Sequence, residues 1–433
     1  MLKTENIGVG VEKFAKFLVL MLIVFIPARN VLELWLGTII KIIPDVTILT
    51  LALLFFVYKK GRVKLRSYDY FIVLFLMIAF VNTVLIQKIS VVTYIFEVRS
   101  IMVYYILFFV IREFEFEKEY MKMFTKLLRC ITYVLFVFGV IEKLWDKMIL
   151  FPYSVAETII YADNYARVYS LFFNPNTYGA FLVISFFYVI HFEKEKKHML
   201  YKVITIASLL LSMSRSSILI LMIGLGVYAI MFRKNIVFSK ALIIQVTIII
   251  LSALMIYTAC ETIVSIRHHS YENGGDDGEG TSVLDRFSAL KSEEIIEESN
   301  TDGRLFYLKT GLKVFKDYPV LGTGFGTYGS AASMNWEPPI YEKYQLKYGF
   351  YSDNEYIKDL VETGTVGVMC LLMFCVSLIY VYKNKYFSVF MCVVVAWFGL
   401  FYNVLEVQIV AFLFWTVLGI QGKKLGEQKH EKN

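Results

Sequence analysis

The sequence predicts an all-α fold: a polytopic helical membrane protein of about 12 transmembrane helices, with one large extracytoplasmic loop domain between spans 9 and 10. Three observations predict it. Hydrophobic residues make up 58% of 433 positions and charged ones only 19%, with a mean hydropathy of +0.60, whereas soluble domains run nearer half apolar and a quarter charged. Apolar stretches of about 20 residues, long enough to cross about 30 Å of hydrocarbon, recur along the chain. A single long polar segment, from Cys260 to Asp353, interrupts them.

The apolar runs fall at 15–36, 43–58, 69–86, 91–111, 130–146, 171–192, 203–214, 216–232, 241–259, 357–382, 386–402 and 404–420. The seventh is short and only Ser214-Arg215 separates it from the eighth, which predicts a tight hairpin or a tilted span. Short loops rich in Lys and Arg stay in the cytoplasm. With the N-terminus inside, the loops on that side hold 26 of the 44 basic residues, from Lys3 to Lys432. An even number of spans then returns the C-terminus to the same side. The expectation is a multi-pass protein of the cytoplasmic (inner or plasma) membrane, both termini cytoplasmic, the long loop outside. The basic start followed by an apolar run from Phe14, with no small-residue cleavage site after it, reads as a retained signal-anchor helix. Three parts follow: an N-terminal membrane domain over 1–259, an extracytoplasmic helical loop domain over 260–356, and C-terminal spans with a cytoplasmic tail over 357–433.

The net charge of +7 is mostly the inside-positive bias and does not point to nucleic acid. Cys130, Cys260, Cys370, Cys375 and Cys392 sit in or at the ends of spans without metal-like spacing, and read as small apolar residues. No metal or cofactor is expected.

Within the polar segment, Asn273-Gly274-Gly275-Asp276-Asp277-Gly278-Glu279-Gly280 has nothing apolar to bury. Ser282-Val283-Leu284-Asp285 has capping-box spacing and opens a helix that ends near Glu298. A second helix is predicted from Arg304 to Lys316. Leu305, Leu308, Leu312 and Phe315 form one stripe of it, and Lys309, Lys313 and Lys316 another, as in a cationic amphipathic helix lying in the headgroup plane. Pro319 ends it. Gly324-Phe325-Gly326-Thr327-Tyr328-Gly329 formally matches a dinucleotide fingerprint, but it follows a helix instead of joining a strand to one. It reads as a glycine-rich turn packed close to the membrane surface.

Four arginines are assigned to the outer face. Arg99 lies about 12 Å into the fourth span at 1.5 Å per residue. Arg215 stands at the outer end of the seventh, Arg167 just outside the sixth, and Arg304 at the start of the loop helix. Ionisable groups near apolar surface normally face a cavity and a partner, and guanidinium binds phosphate in bidentate fashion without losing its charge. The plainer alternative is that each arginine snorkels or pairs with an acid such as Glu97 or Glu406.

Taken in order, Arg167-x-x-Ser170…Asn174-Pro175-Asn176, Ser214-Arg215-Ser216, Gly303-Arg304-Leu305, Lys316-Asp317-Tyr318-Pro319-Val320-Leu321-Gly322-Thr323-Gly324-Phe325-Gly326 and Asp353-Asn354-Glu355-Tyr356…Glu362-Thr363-Gly364-Thr365-Val366-Gly367 resemble the superfamily of O-antigen ligases and Wzy-type polysaccharide polymerases. The motifs cover 167–382. The resemblance implies glycosyl transfer at the outer face of the cytoplasmic membrane, from an undecaprenyl-diphosphate-linked oligosaccharide to an acceptor sugar, without nucleotide sugar or metal. For that chemistry the candidate catalytic residues are Asp353, Asn354, Arg215 and Arg304, and the candidate substrate-binding residues Arg99, Arg167, Asn174, Asn176, Lys309 and Glu362. Expected partners are the lipid-linked glycan, membrane lipid, and the flippase and chain-length regulator of the same pathway.

One position departs from the pattern. Ligases of this superfamily carry a histidine where this chain has Asp353. Of its five histidines only His268 and His269 lie outside by the expected topology. Asp353 is therefore the expected base, His268-His269 the weaker candidate, and polymerase is favoured over ligase. A flippase-type transporter would show internal repeats and a midplane site built from broken helices. A sensor would need a cytoplasmic output domain, and every inside loop is short.

Overall fold

The computed structural model describes residues 2–145, 167–193, 198–233, 240–271 and 303–422. Among these the chain forms helices and turns and no strand. The helices are α1 (Leu2–Leu36), α2 (Ile43–Tyr58), α3 (Ser67–Phe80, continued by a π-helical turn Val81–Ile86), α4 (Val91–Ile111), α5 (Lys118–Leu144), α6 (Pro175–Phe192), α7 (Met199–Ser212), α8 (Arg215–Met231), α9 (Lys240–Tyr271), α10 (Arg304–Asp317), α11 (Ile340–Tyr344), α12 (Glu355–Tyr382), α13 (Tyr386–Phe398) and α14 (Gln408–Ile420). Each expected apolar run overlaps one of them, and several extend past the helix ends into turns. Six helical stretches are long and apolar enough to cross a membrane: Thr38–Tyr58, Ser67–Ile86, Val91–Ile111, Lys118–Leu144, Leu242–Ile266 and Glu355–Tyr382. Met199–Ser212, Arg215–Met231, Tyr386–Phe398 and Gln408–Ile420 are apolar but shorter. The Gly/Asp run 273–280, the expected helix 282–298, His430 and the side chains of His268 and His269 lie outside what is described.

The chain folds as two compact units. The first comprises Met1–Lys16, Asp45–Glu115 and Lys291–Asn433. In it α3 packs along α12 and α4 along α14, through an aromatic core in which Tyr105 meets Trp415 edge-on at 5.0 Å and Phe108 lies 5.1 Å from the same indole. Arg112, fully buried at the end of α4, places Nη1 and Nη2 on the two carboxylate oxygens of Asp69 in α3 at 2.8 and 2.7 Å. That geometry is what makes a buried charge tolerable.

The second unit comprises Phe17–Pro44 and Phe116–Leu290. There α7 packs against α5, α6 and α9. The segment before α6 folds back onto α5: Glu142, buried in α5, accepts from the backbone N–H of Ser170 at 2.7 Å and of Tyr169 at 3.3 Å. Asn174 caps α6 by accepting from the N–H groups of Asn176 and Thr177, and Pro175 occupies the first helical position, where its missing N–H costs nothing.

The feature that shapes the first unit is a break in α12. At Gly364 the backbone turns to φ 61°, ψ −167°, a conformation open essentially to glycine alone. A break leaves carbonyls and N–H groups without helical partners, which is costly inside a membrane. Here the segment after α10 satisfies them. The N–H groups of Thr323 and Gly324 donate to the carbonyls of Val361 and Glu362 at 2.9 and 3.0 Å, while those of Thr365 and Val366 donate to Pro319 and Val320 at 2.9 and 3.1 Å. On its other side Asn82 and Gln87, at the π-helical turn of α3, donate to the carbonyls of Leu321 and Gly322 at 2.6 and 3.2 Å. Thr83 accepts from the N–H of Phe325 at 2.6 Å. The glycine-rich segment does form turns, and it is buried among helices, a packing that the motif alone does not announce. Gly322, Gly324, Gly326 and Gly329 all have positive φ, and a Cβ on Gly322 would come within 2.5 Å of the Glu362 backbone.

The loop helix forms where expected and packs within the first unit through a face the sequence did not single out. α10 runs to Asp317, but its buried positions are Gly311 and Val314, not the leucine stripe. Gly311 lets Ile357 of α12 approach, since a Cβ there would meet Ile357 Cγ2 at 2.5 Å. Val314 joins a core of Tyr328, Tyr341, Tyr344, Phe350 and Val361. Leu305 and Leu312 remain exposed.

Candidate functional site

Arg304 and Asp353 meet where α10 and α12 begin. The Arg304 side chain, 47% exposed, places Nε and Nη2 each 3.1 Å from Oδ2 of Asp353, whose side chain is 36% exposed. Both contacts fall on one carboxylate oxygen. Among the described residues Oδ1 accepts no hydrogen bond, and Nη1 of Arg304 donates none. Among the described residues, therefore, an unoccupied guanidinium edge lies beside an unoccupied carboxylate oxygen. Burial pushes the Asp353 carboxyl above its usual range, and the charge and hydrogen bond of Arg304 act against that rise without cancelling it.

Asp353 and Asn354, adjacent in sequence, do different work. Asn354 is the N-cap of α12: its Oδ1 accepts from the N–H of Ile357 at 3.0 Å, and its amide donates to the Leu400 carbonyl at 3.1 Å. Asp353 stands one residue earlier, at φ 49°, a left-handed conformation that Asp and Asn tolerate better than most residues. Its carboxylate makes no cap.

The other expected site residues are distributed as follows. Glu362 is fully buried in α12 and accepts from the N–H of Tyr328 at 2.7 Å; Lys309 is exposed on α10. Arg99 pairs with Asp45 across α4 and α2. In the second unit, Arg167 donates from Nε to the Ser212 carbonyl at 3.1 Å and from Nη2 to Oδ1 of Asn176 at 2.6 Å. Ser214 donates to the same Oδ1 at 3.2 Å. The N–H of Val168 meets the Leu211 carbonyl at 3.0 Å, so the Arg167 segment closes the C-terminus of α7. Arg215, half-buried, opens α8. Arg167, Asn174, Asn176 and Ser214 are thus brought together, as are Arg304 and Asp353.

Neither Glu97 nor Glu406 pairs with an arginine among the described residues. Both face Lys358, a fully buried lysine of α12. Its ammonium lies 2.7 Å from Glu406, 3.0 Å from Glu355, 3.8 Å from Glu97 and 3.9 Å from Asp359. Sequence reasoning overlooked this lysine. The signal was there in Glu355-x-x-Lys358-Asp359-x-x-Glu362, a charged helical stripe at the start of a membrane-length helix, where ionisable residues are rare.

No metal-holding group of His, Cys, Asp or Glu side chains occurs among the described residues. No curated protein matches the chain. Residues 200–372 match the family model described as O-antigen ligase, a stretch that holds Arg215, Arg304, Asp353, Asn354, Lys358 and Glu362. Over that stretch the chain is similar to the O-antigen ligase family.

Proposed function

We propose that the protein is a polymerase that joins undecaprenyl-diphosphate-linked oligosaccharide repeat units into a surface polysaccharide at the outer face of the cytoplasmic membrane. The observation that carries the reading is the Arg304–Asp353 pair, half-exposed at the start of α12 inside the matched stretch. The acceptor hydroxyl attacks the anomeric carbon of the lipid-linked donor, and Asp353 takes its proton through Oδ1. The bond from that carbon to the diphosphate oxygen breaks. Arg304 stabilises the charge that grows on the departing lipid diphosphate, through a guanidinium edge suited to phosphate. Arg215, in the second unit, is a further candidate for binding phosphate by its place in Ser214-Arg215-Ser216. Arg99, answered by Asp45, and Arg167, committed to α7, hold structure first. Asn354 acts by fixing the turn that presents Asp353.

A second reading, transfer of a finished glycan to a different acceptor, is favoured by the description of the matched family as O-antigen ligase. Deleting the gene and extracting the carrier lipid separates the two. Single repeat units on undecaprenyl diphosphate support the polymerase, and accumulated long polymer on the carrier supports the ligase. An unchanged carrier pool and normal polysaccharide overturn both.

A further inference from the structure

We propose that Lys358 is a positioning residue: its ammonium gathers the carboxylates that hold the segment Gly322–Ser333 among the helices, and that segment sets where Arg304 and Asp353 stand. What the pair does rests on the transferase reading above; how it is placed does not.

Three backbone N–H groups of the segment end on three buried carboxylates. Tyr328 donates to Glu362 at 2.7 Å, Ala331 to Glu406 at 2.8 Å and Ala332 to Glu97 at 3.0 Å. Lys358 is the one cation among the described residues within 4.0 Å of Glu97 and Glu406, and it stands one helical turn before Glu362 on α12. Among the described residues Glu97 Oε1 and Glu362 Oε2 accept no hydrogen bond, and the carboxylates around Lys358 outnumber its single charge. Removing that charge would leave buried anions uncompensated, the costly half of a broken buried pair.

The held segment reaches the pair by two routes. The carbonyl of Gly329 accepts from the N–H of Ser352, next to Asp353, at 2.9 Å and from the Asn403 amide at 2.8 Å. The Tyr328 hydroxyl donates to the carbonyl of Tyr307, in the first turn of α10 after Arg304. The same Tyr328 ring packs edge-on against Phe350 at 5.2 Å. One short segment thus fixes the start of α10 and the residue before Asp353.

The test places a cysteine at Ser333, which is fully buried in this segment, in the full-length chain with its five native cysteines replaced by alanine. Isolated membranes are treated with N-ethylmaleimide, and glycan product is measured in parallel. Lys358→Met is expected to raise the labelling rate at least tenfold and to lower product at least 100-fold. Lys358→Arg, which restores the cation, is expected to keep the cysteine protected and product within tenfold of wild type. If Lys358→Met is not recovered as folded protein, Glu406→Gln carries the same test, because it keeps acceptor oxygen for Ala331 but loses the charge facing Lys358. Unchanged labelling in a folded Lys358→Met or Glu406→Gln variant overturns the proposal, as does a Lys358→Arg variant labelled as fast as Lys358→Met. Full activity in both Arg304→Ala and Asp353→Asn would instead sink the transferase reading, and the labelling result would still decide the positioning.

Discussion

Asp353 and Asn354 show how two neighbouring polar residues at a helix start can be told apart. Sequence leaves a cap and a catalytic carboxylate equally open, because both residue types are favoured at an N-cap. In the folded chain the cap is Asn354 and the carboxylate that faces an arginine is Asp353. Their variants should therefore differ in kind. Asp353→Asn keeps the left-handed turn and the cap but cannot accept a proton, so it should be present at normal level and make about 100-fold less product or lower. Wild-type product from this variant would move the search for a base to Glu355, His268 or His269. Asn354→Ala should instead lower stability by about 1 kcal/mol, read as a drop in melting temperature with the catalytic group intact. Arg304→Ala should cost about 100-fold or more, with Arg304→Lys recovering only part, since a point charge lacks the planar fork. Sensitivity to pH follows from the sign at Asp353. Its carboxyl sits above the ordinary range, and the base must be ionised, so activity should fall on acidification at a higher pH than an ordinary carboxylate of about 3.9 would give. An acid limb at or below that value would remove Asp353 as the base.

Among the elements, α12 carries the least expected feature and the one that most depends on glycine. The motif Glu362-Thr363-Gly364 was legible as a motif, but not as a break, because an apolar run of this length reads as one continuous span and periodicity carries no record of a single residue at φ 61°. Nor could sequence say what would satisfy the freed backbone groups, since their partners at Pro319–Gly324 lie some forty residues away. Gly322→Ala tests the clip directly. Its φ of 75° disfavours a side chain, and the new Cβ would meet backbone rather than a movable side chain. A loss of about 2 kcal/mol or more is expected from the strained conformation and forced shift together, seen as lower thermal stability of the purified protein, whereas Gly349→Ala, whose added Cβ meets nothing within 4 Å, bears only the cost of its positive φ. Equal stability of the two variants would mean that the clip contributes little. α10 adds a second contact that its stripes did not announce: it packs on α12 through Gly311 and Val314, where close approach needs a small residue and tyrosines fill the space beyond it, while Leu305 and Leu312 stay exposed.

At the level of the whole chain, membrane character was legible because it is written in composition: long apolar runs have one physical use, and six helices long and apolar enough to span a membrane appear where such runs were read. The burial of the Gly322–Ser333 segment and the charge balance at Lys358 were not legible, because each is set by contacts between residues distant in sequence. Orientation still rests on the distribution of positive charge, and it decides which compartment the Arg304–Asp353 pair faces. The turn after α2 offers the clearest inside probe. Lys60 is exposed there, and Gly61 beside it has open space around it, so Lys60→Cys should be reachable by reagent from whichever side it faces. Tyr348, 60% exposed between α11 and α12, serves as the outside probe, with Asp276 in the Gly/Asp run as a second. With a membrane-impermeant maleimide on intact cells, Tyr348→Cys and Asp276→Cys should label and Lys60→Cys should label only after the cells are opened. The reverse pattern would put Arg304 and Asp353 on the cytoplasmic side, and the proposed transfer at the outer face would fall with it.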